Sequence, residues 1–415
     1  MAESGNSRLA ARVAFTHPNF VLFTLARFTS VVATEMQSVA VGWQVYEITK
    51  RPLDLGLIGL AQFLPAILLF LISGHAADRF DRRKLLIACH SGFAACFGLL
   101  LWISARGVHS VVPIYGVMVL VGVVRSFIGP VTRAILPQLI PEEDFPNAVA
   151  WAATVFQSAT ILGPALGGIV YALFRGPVAV YAIAMGSALA AAGFTLRIRL
   201  QAKARPREVM NLKTVLAGLR YIWRQKLVLG SISLDLFAVL LGGAVALLPV
   251  YAQDILKTGP WGLGLLRCAP GIGAAAMAIL LAHRPMRRKM GATLLCGVGA
   301  YGAFTILFGI SRSLILSMVA LALVGASDMV SVIIRATFLQ LGTPDEMRGR
   351  VNAVDMIFIG ASNQVGQFES GVTAQWFGTV PAVLLGGIGA IAVTGLWAWM
   401  FPELRKAEDV GTLRN

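Results

Sequence analysis

Gly74-His75-Ala76-Ala77-Asp78-Arg79-Phe80-Asp81-Arg82-Arg83-Lys84 is a highly charged hairpin in a chain that otherwise keeps charge away from its apolar segments. Two acids and four bases fall within the seven residues from Asp78 to Lys84. One long apolar run ends near Ser73 and the next begins at Leu85. An ionised side chain at the centre of a bilayer costs about 2.5–3.5 kcal/mol on insertion scales. A turn this charged, between two helices of membrane length, must therefore stay at a water interface. It divides the chain into spans and interfacial loops, and the other segments follow from it.

The 415 residues are 57% hydrophobic and 13% charged, with a mean hydropathy of +0.75. A soluble domain carries about a quarter charged residues. The length suits about twelve spans of roughly 20 residues with short loops. Hydrophobic runs predict an all-α membrane protein with helices at 20–46, 54–74, 84–104, 111–135, 146–172, 178–198, 227–251, 260–282, 291–310, 314–338, 350–374 and 380–401. Turn residues fall between them at Arg51-Pro52, Arg106-Gly107, Arg175-Gly176-Pro177, Thr258-Gly259-Pro260 and Thr379-Val380-Pro381. The first apolar run is too long for a cleaved leader and reads as a span.

The net charge of +15 belongs to the loops and not to a soluble face, which argues against a nucleic-acid partner. With the N-terminus in the cytoplasm, 26 of the 35 Lys and Arg residues fall on the cytoplasmic side, Arg335, Arg348 and Arg350 among them. Seven fall on the opposite side, and Arg27 and Arg125 lie within spans. The positive-inside rule then puts both termini in the cytoplasm of a multi-pass protein of the cell (inner) membrane. Cys89, Cys96, Cys268 and Cys296 all sit in apolar runs, without metal-ligand spacing or a disulfide framework, so they read as buried small residues. No metal or cofactor is expected.

The longest polar interval, Arg197 to Lys226, parts two halves of six helices each. The expected domains are 1–198, a cytoplasmic linker at 199–226, and 227–415. Within the linker, Leu212 to Trp223 forms a basic amphipathic pattern suited to the anionic inner leaflet. The halves repeat. Gly59-Leu60, Pro65 and Arg82-Arg83-Lys84 recur 205 residues later as Gly264-Leu265, Pro270 and Arg287-Arg288-Lys289. Val121-Gly122, Pro141-Glu142-Glu143, Gly163 and Gly168 recur 203 residues later as Val324-Gly325, Pro344-Asp345-Glu346, Gly366 and Gly371. Two pseudo-symmetric six-helix bundles follow from this repeat.

Three stretches carry a resemblance to a known family. Gly-x-x-x-Asp-Arg-x-x-Arg-Arg, built by Gly74, Asp78, Arg79, Arg82 and Arg83, resembles the loop between helices two and three of the major facilitator superfamily of secondary transporters. Arg125-Ser126-Phe127-Ile128-Gly129 resembles the family's Arg-x-x-Gln-Gly motif, with Ile128 in place of glutamine. Gly163-Pro164-Ala165-Leu166-Gly167-Gly168 matches the Gly-Pro-x-x-Gly-Gly core of the drug:proton antiporter branch. The resemblance covers about residues 15–402, and within the superfamily the wording is similar to the enterobactin-exporter-like branch.

The resemblance implies roles. Asp78 and Arg79 would latch the cytoplasmic side, although Asp81 stands where the family often has glycine, and His283 takes the Asp78 position in the second half. A topology-setting loop is the other reading. Arg125 would serve proton coupling, or else a structural ion pair. The glycines of 163–168 would let helices approach closely. Helices one, four, seven and ten line the cavity in this family, which brings Glu35, Arg125, Asp235 and Asp328 forward as proton-coupling or cavity residues; static pairing of Glu35 with Arg125 or Arg27 is the rival. Asp355 and Glu369 rank below them. Trp43, Tyr46, Phe63, Trp151, Phe156, Phe237, Tyr251 and Phe338 are candidate cavity aromatics, or packing.

The function implied is proton-coupled export of a siderophore, drug or other amphipathic small molecule by alternating access, with protons, the lipid bilayer and the small-molecule substrate as partners and a monomer as the working unit. Import of a polar solute on the same fold is the alternative. An enzyme is not expected: His17, His75, His90, His109 and His283 are scattered, and no phosphate loop is present.

Overall fold

A computed structural model describes residues 13–107, 110–200, 212–284, 286 and 289–407. Arg8, Arg12, His109, Arg287, Arg288, Arg414 and the linker at 201–211 lie outside the described residues, as does the side chain of Asp78. Among the described residues the secondary structure is helical, without strands. The helices are α1 (Pro18–Thr49), α2 (Pro52–Leu68), α3 (Phe70–Arg79), α4 (Arg82–Ala105), α5 (Val112–Ile135), α6 (Phe145–Leu173) and α7 (Pro177–Arg197). They continue as α8 (Leu212–Arg224), α9 (Lys226–Leu241), α10 (Gly259–His283), α11 (Met290–Ile310), α12 (Leu314–Leu341), α13 (Asp345–Phe377), α14 (Thr379–Met400) and α15 (Pro402–Lys406). Proline opens α1, α2, α7 and α15, where its fixed φ suits the first turn and its missing N–H would have had no partner.

Nine helices among the described residues are long and apolar enough to cross a bilayer on their own. The other three expected spans are α1, the pair α2–α3, and α13. Their shortfall in apolarity or length has a local cause. α1 runs 32 residues and contains Arg27, Glu35 and Glu47, and α13 runs 33 residues and contains Asp355 and Glu369. The second expected span is not one helix: Leu69 interrupts it with φ −94° and ψ 0°, one turn after Pro65. Proline removes an intrahelical hydrogen bond and crowds the preceding turn, which accounts for the break.

By backbone proximity the chain divides into two compact units: 1–44 with 64–210, and 45–63 with 211–415. In the first, the hairpin that opened the analysis is a helix cap. Asp81 is the N-cap of α4, and its carboxylate accepts hydrogen bonds from the main-chain N–H groups of Arg83 (2.9 Å) and Lys84 (3.2 Å). The residue that departs from the family's usual glycine thus satisfies two otherwise orphan donors. Arg82 Nε and Nη1 donate to the carbonyls of Ala77 and Ala134, and Arg83 Nη2 donates to that of Leu196. These carbonyls belong to the C-terminal ends of α3, α5 and α7, where the helix dipole favours a cation. Beneath them Phe20, Phe23, Ala77, Leu86, Val131, Ile135 and Ile198 form a buried cluster.

In the second unit α10 and α12 meet backbone to backbone. A Cβ on Gly273 would lie 1.7 Å from the Ala322 carbonyl oxygen, and one on Gly325 would lie 1.9 Å from that of Pro270. Lipid supplies no hydrophobic force between helices, so such small-residue contacts carry the packing. α9, α11, α12 and α14 enclose a second cluster around Leu234, Leu294, Ile334, Phe338 and Trp397.

Two expectations change here. α13 begins at Asp345, not at 350, so Arg348 is helical as well as Arg350. The amphipathic helix α8 does not turn its main apolar face to lipid. Val215, Leu219 and Ile222 pack against Leu339, Val351 and Val354, and Tyr221 Oη donates to the Gly342 carbonyl at 2.6 Å. A Cβ on Gly218 would lie 2.6 Å from the Arg350 carbonyl. Helix ends of its own unit offered that face an apolar partner and a buried acceptor. Desolvation raises the Tyr221 phenol above its usual range. Leu216 and Trp223 stay exposed.

Two substitutions test this architecture. Asp81→Ala removes the α4 cap and lowers stability by about 1 kcal/mol. Gly325→Val forces a side chain into the α10–α12 contact and costs about 1–3 kcal/mol or more. Thermal unfolding in detergent measures both, with Gly325→Val expected to fall furthest.

Candidate functional site

In the second unit an arginine lies deep in the bundle. Arg335, six residues before the end of α12, is 4% exposed. Its Nη1 donates to Asp235 Oδ2 on α9 at 2.9 Å and to Asp355 Oδ1 on α13 at 3.1 Å. Ser331, one turn earlier on α12, donates from Oγ to the other oxygen of Asp235 at 3.1 Å. Arg335, counted from the sequence among the cytoplasmic bases at the end of the helix over 314–338, is instead buried within the bundle. A buried guanidinium needs carboxylate partners, and this bundle supplies two.

Asp235 and Arg335 border a cavity of about 180 Å³. Asp235, Asp328, Arg335, Tyr301, Thr305 and Asn363 form its polar lining, and Val239, Phe308, Leu321 and Val332 are among its apolar walls. Asp328 lies one turn before Ser331 on α12, partly accessible, with no ion pair within 4.0 Å among the described residues. Tyr301 Oη donates to the Gly242 carbonyl at 3.0 Å, which fixes the ring at the point where α9 ends. Of the eight aromatics expected at a cavity, none lines this one; Tyr301 and Phe308 do instead. Trp43, Tyr46, Tyr251 and Phe338 are buried in packing, and Phe237 packs at a tilt against Trp397.

The four leading ionisable candidates divide between the units: Glu35 and Arg125 in the first, Asp235 and Asp328 in the second. In the first unit, the motif on α6 meets α1 at Glu35. A Cβ on Gly163 would sit 2.5 Å from Glu35 Cβ, and one on Gly167 would sit 2.9 Å from Met36 Cα. Gly163, Pro164, Gly167 and Gly168 are all buried. Any side chain at Gly163 or Gly167 would push α1 away and move the carboxylate at its centre. The repeat keeps the contact in space. Gly366 on α13 presses on α9, where its Cβ would lie 2.8 Å from the Leu240 carbonyl, and Leu240 stands 205 residues after Glu35. Arg27 lies over the Phe156 ring at 5.0 Å, a cation–π contact, and Arg125 is exposed.

The remaining expectations find these places. Gly74 lies in α3, and a Cβ there would meet no atom within 4 Å; Arg79 ends α3 and is exposed. Glu369 accepts from Thr373 at 2.7 Å within its own helix. Cys89, Cys96 and Cys268 are buried, whereas Cys296 is exposed, a correction to the reading that all four are buried. No cluster of three metal-ligating side chains occurs among the described residues. The residue that sequence reasoning missed is Arg335. The signal available was the spacing Asp328, Ser331, Arg335, which puts acid, hydroxyl and base on one helix face.

The family model described as "Transmembrane secretion effector" matches residues 10–412. The enterobactin exporter EntS of Escherichia coli O1:K1 / APEC is 30% identical over 395 residues, which cover 91% of this chain and 86% of the relative. The enterobactin exporter EntS of Shigella boydii serotype 18 matches with the same identity and coverage. Among solved structures, a bacterial homolog to the human lysosomal transporter Spinster, inward-facing and occupied, superposes with a TM-score of 0.73 at 12% identity, covering 94% of this chain and 99% of that one. The nucleoside transporter NupG gives 0.70 at 12% identity, covering 92% and 99%. At such identities the structures establish the fold, and the family model with the 30% relatives establishes the lineage: the chain belongs to the transmembrane secretion effector family of the major facilitator superfamily of transporters.

Proposed function

We propose that this transporter exports an amphipathic small molecule of the siderophore class, with enterobactin as the model compound, in exchange for protons. The observation that carries the proton coupling is the charge count at the cavity. Three carboxylates stand against one guanidinium, that of Arg335: Asp235 and Asp328 line the cavity with it, and Asp355 is paired to it from α13. Two of them share the arginine, and Asp328 is left beside the cavity. An ionised acid without a counter-ion in an apolar bundle is costly, and taking up a proton relieves the cost. A group that gains and loses a proton according to its neighbours is what coupled antiport requires.

The exporter direction and the siderophore class are supported by the named activity of the 30% relatives and by the Gly163–Gly168 motif. From the first unit, Glu35 and Arg125 are the proposed ionisable contributions to coupling, with Glu35 set by its contact with Gly163. Asp78 and Arg79 are the proposed cytoplasmic latch, and Arg82 and Arg83 hold three helix ends in place beside it. An inner-membrane location with both termini in the cytoplasm is supported by the asymmetry of bases, which persists when Arg335 is removed from the cytoplasmic count. The working unit is proposed to be a monomer.

In everted vesicles, an acid interior is expected to drive accumulation of enterobactin, and an uncoupler to abolish it. Accumulation indifferent to the collapse of the gradient would sink the antiport reading. Asp328→Asn and Glu35→Gln are expected to lose gradient-driven accumulation while wild-type amounts of protein reach the membrane. Unchanged accumulation returns that residue to a structural role.

A further inference from the structure

Arg335 holds its two acids through a single nitrogen. Both the 2.9 Å contact with Asp235 and the 3.1 Å contact with Asp355 are made by Nη1. A guanidinium carries five N–H donors in a planar fork, so Nε and Nη2 remain for a third carboxylate. Asp328 stands seven residues before Arg335 on α12, about 10 Å along the axis, and on the same face. Helical side chains lean toward the N-terminus of their helix, which brings the long Arg335 stem toward Asp328.

The two acids now held are not equivalent. Asp235 also accepts from Ser331, and its side chain is 8% exposed. The Asp355 side chain is 15% exposed and has Arg335 as its partner among the described residues. Asp355 is therefore the easier one to release. The charged and titratable groups facing this point are Asp235 on α9, Tyr301 on α11, Asp328 on α12 and Asp355 on α13. The titratable groups of α10 near this level, Arg267 and Cys268, do not line the cavity, and α14 contributes no lining residue.

Resting on the proton-coupled reading above, we propose that Arg335 is the positioning residue that converts the protonation of Asp328 into movement of α13. While Asp328 carries its proton, the guanidinium stays on Asp235 and Asp355 and clamps α13 to α9 and α12. When Asp328 gives its proton to water in the cavity, the guanidinium turns to the new carboxylate and releases Asp355. α13 is well placed to transmit that release. Its Gly366 is seated on α9 and its first turns are gripped by Gly218 of α8, so loosening its middle shifts a helix held at two other points. Lysine has one compact charge and no fork, and cannot serve three acids in this way.

The test uses the full-length protein in lipid nanodiscs, with pH as the only probe. Hydrogen–deuterium exchange is measured for peptides of α13 and, as an internal control for intrinsic exchange, of α11, in acid and in alkaline buffer. The wild type is expected to lose protection in α13, relative to α11, on the alkaline side. Asp328→Asn is expected to hold α13 at its acid-side protection at both pH values. Arg335→Lys is expected to keep the wild-type melting temperature and lose the pH response. If Arg335→Lys does not fold, the charge-compensated double variant Arg335→Gln with Asp235→Asn takes its place, with the same expectation. A wild-type pH response in the Arg335 variants overturns the proposal. So does an α13 that never responds to pH in a protein whose Asp328→Asn variant has lost coupled efflux; there the coupling reading survives alone. Coupled efflux that persists in Asp328→Asn returns Asp328 to a structural role and overturns the proposal with it, while the coupling reading stands.

Discussion

A guanidinium enclosed by an apolar bundle has to be answered by carboxylates from other helices, and in this protein the answer fixes the second unit. Arg335 on α12 draws in Asp235 from α9 and Asp355 from α13. Two consecutive helices and one far earlier in the chain are tied at one nitrogen, and the cavity opens beside that knot. Removing Arg335 from such a buried set leaves its carboxylates uncompensated, which costs about 3–5 kcal/mol. The same arithmetic makes the site useful. Acids outnumber the one base there, so each proton the site takes up reduces its excess negative charge.

The knot is possible because the helices around it come close without large side chains. Gly273 and Gly325 join α10 to α12, and Gly366 seats α13 on α9. In the first unit Gly163 and Gly167 do the same for α6 and α1. A repeat visible as spaced glycines is thus a repeat of helix contacts, with Glu35 and Leu240 at equivalent places. The difference between those two residues is chemical. The first unit puts an acid on the central helix where the second puts a leucine, and the second carries its acids at Asp235, Asp328 and Asp355 instead. The halves share a scaffold and divide the ionisable groups unequally.

At the water interface the reasoning reverses. The charged hairpin has work to do for the scaffold before any gating is considered. Asp81 caps α4, and Arg82 and Arg83 satisfy the carbonyls that end α3, α5 and α7. A loop dense in charge is what four helix ends meeting in one place require, because each end presents orphan donors or acceptors.

The amino-acid sequence by itself determined the spans, the interfacial loops, the two-fold repeat and the family, because hydrophobic runs, charge placement and glycine spacing are local in the chain. It also brought Asp235 and Asp328 forward, since an acid inside a span stands out against apolar neighbours. It misplaced Arg335, because a base six residues from the end of α12 has the same local signature as an interfacial one; its partners lie 100 residues before it and 20 after it. It gave α8 an apolar face and assigned that face to lipid, although the true partners are Val351 and Val354 beyond four intervening spans. Only the tertiary structure decided these points. A buried charge and an amphipathic face each demand a partner, and which partner they find depends on helices that the chain's local pattern does not bring together.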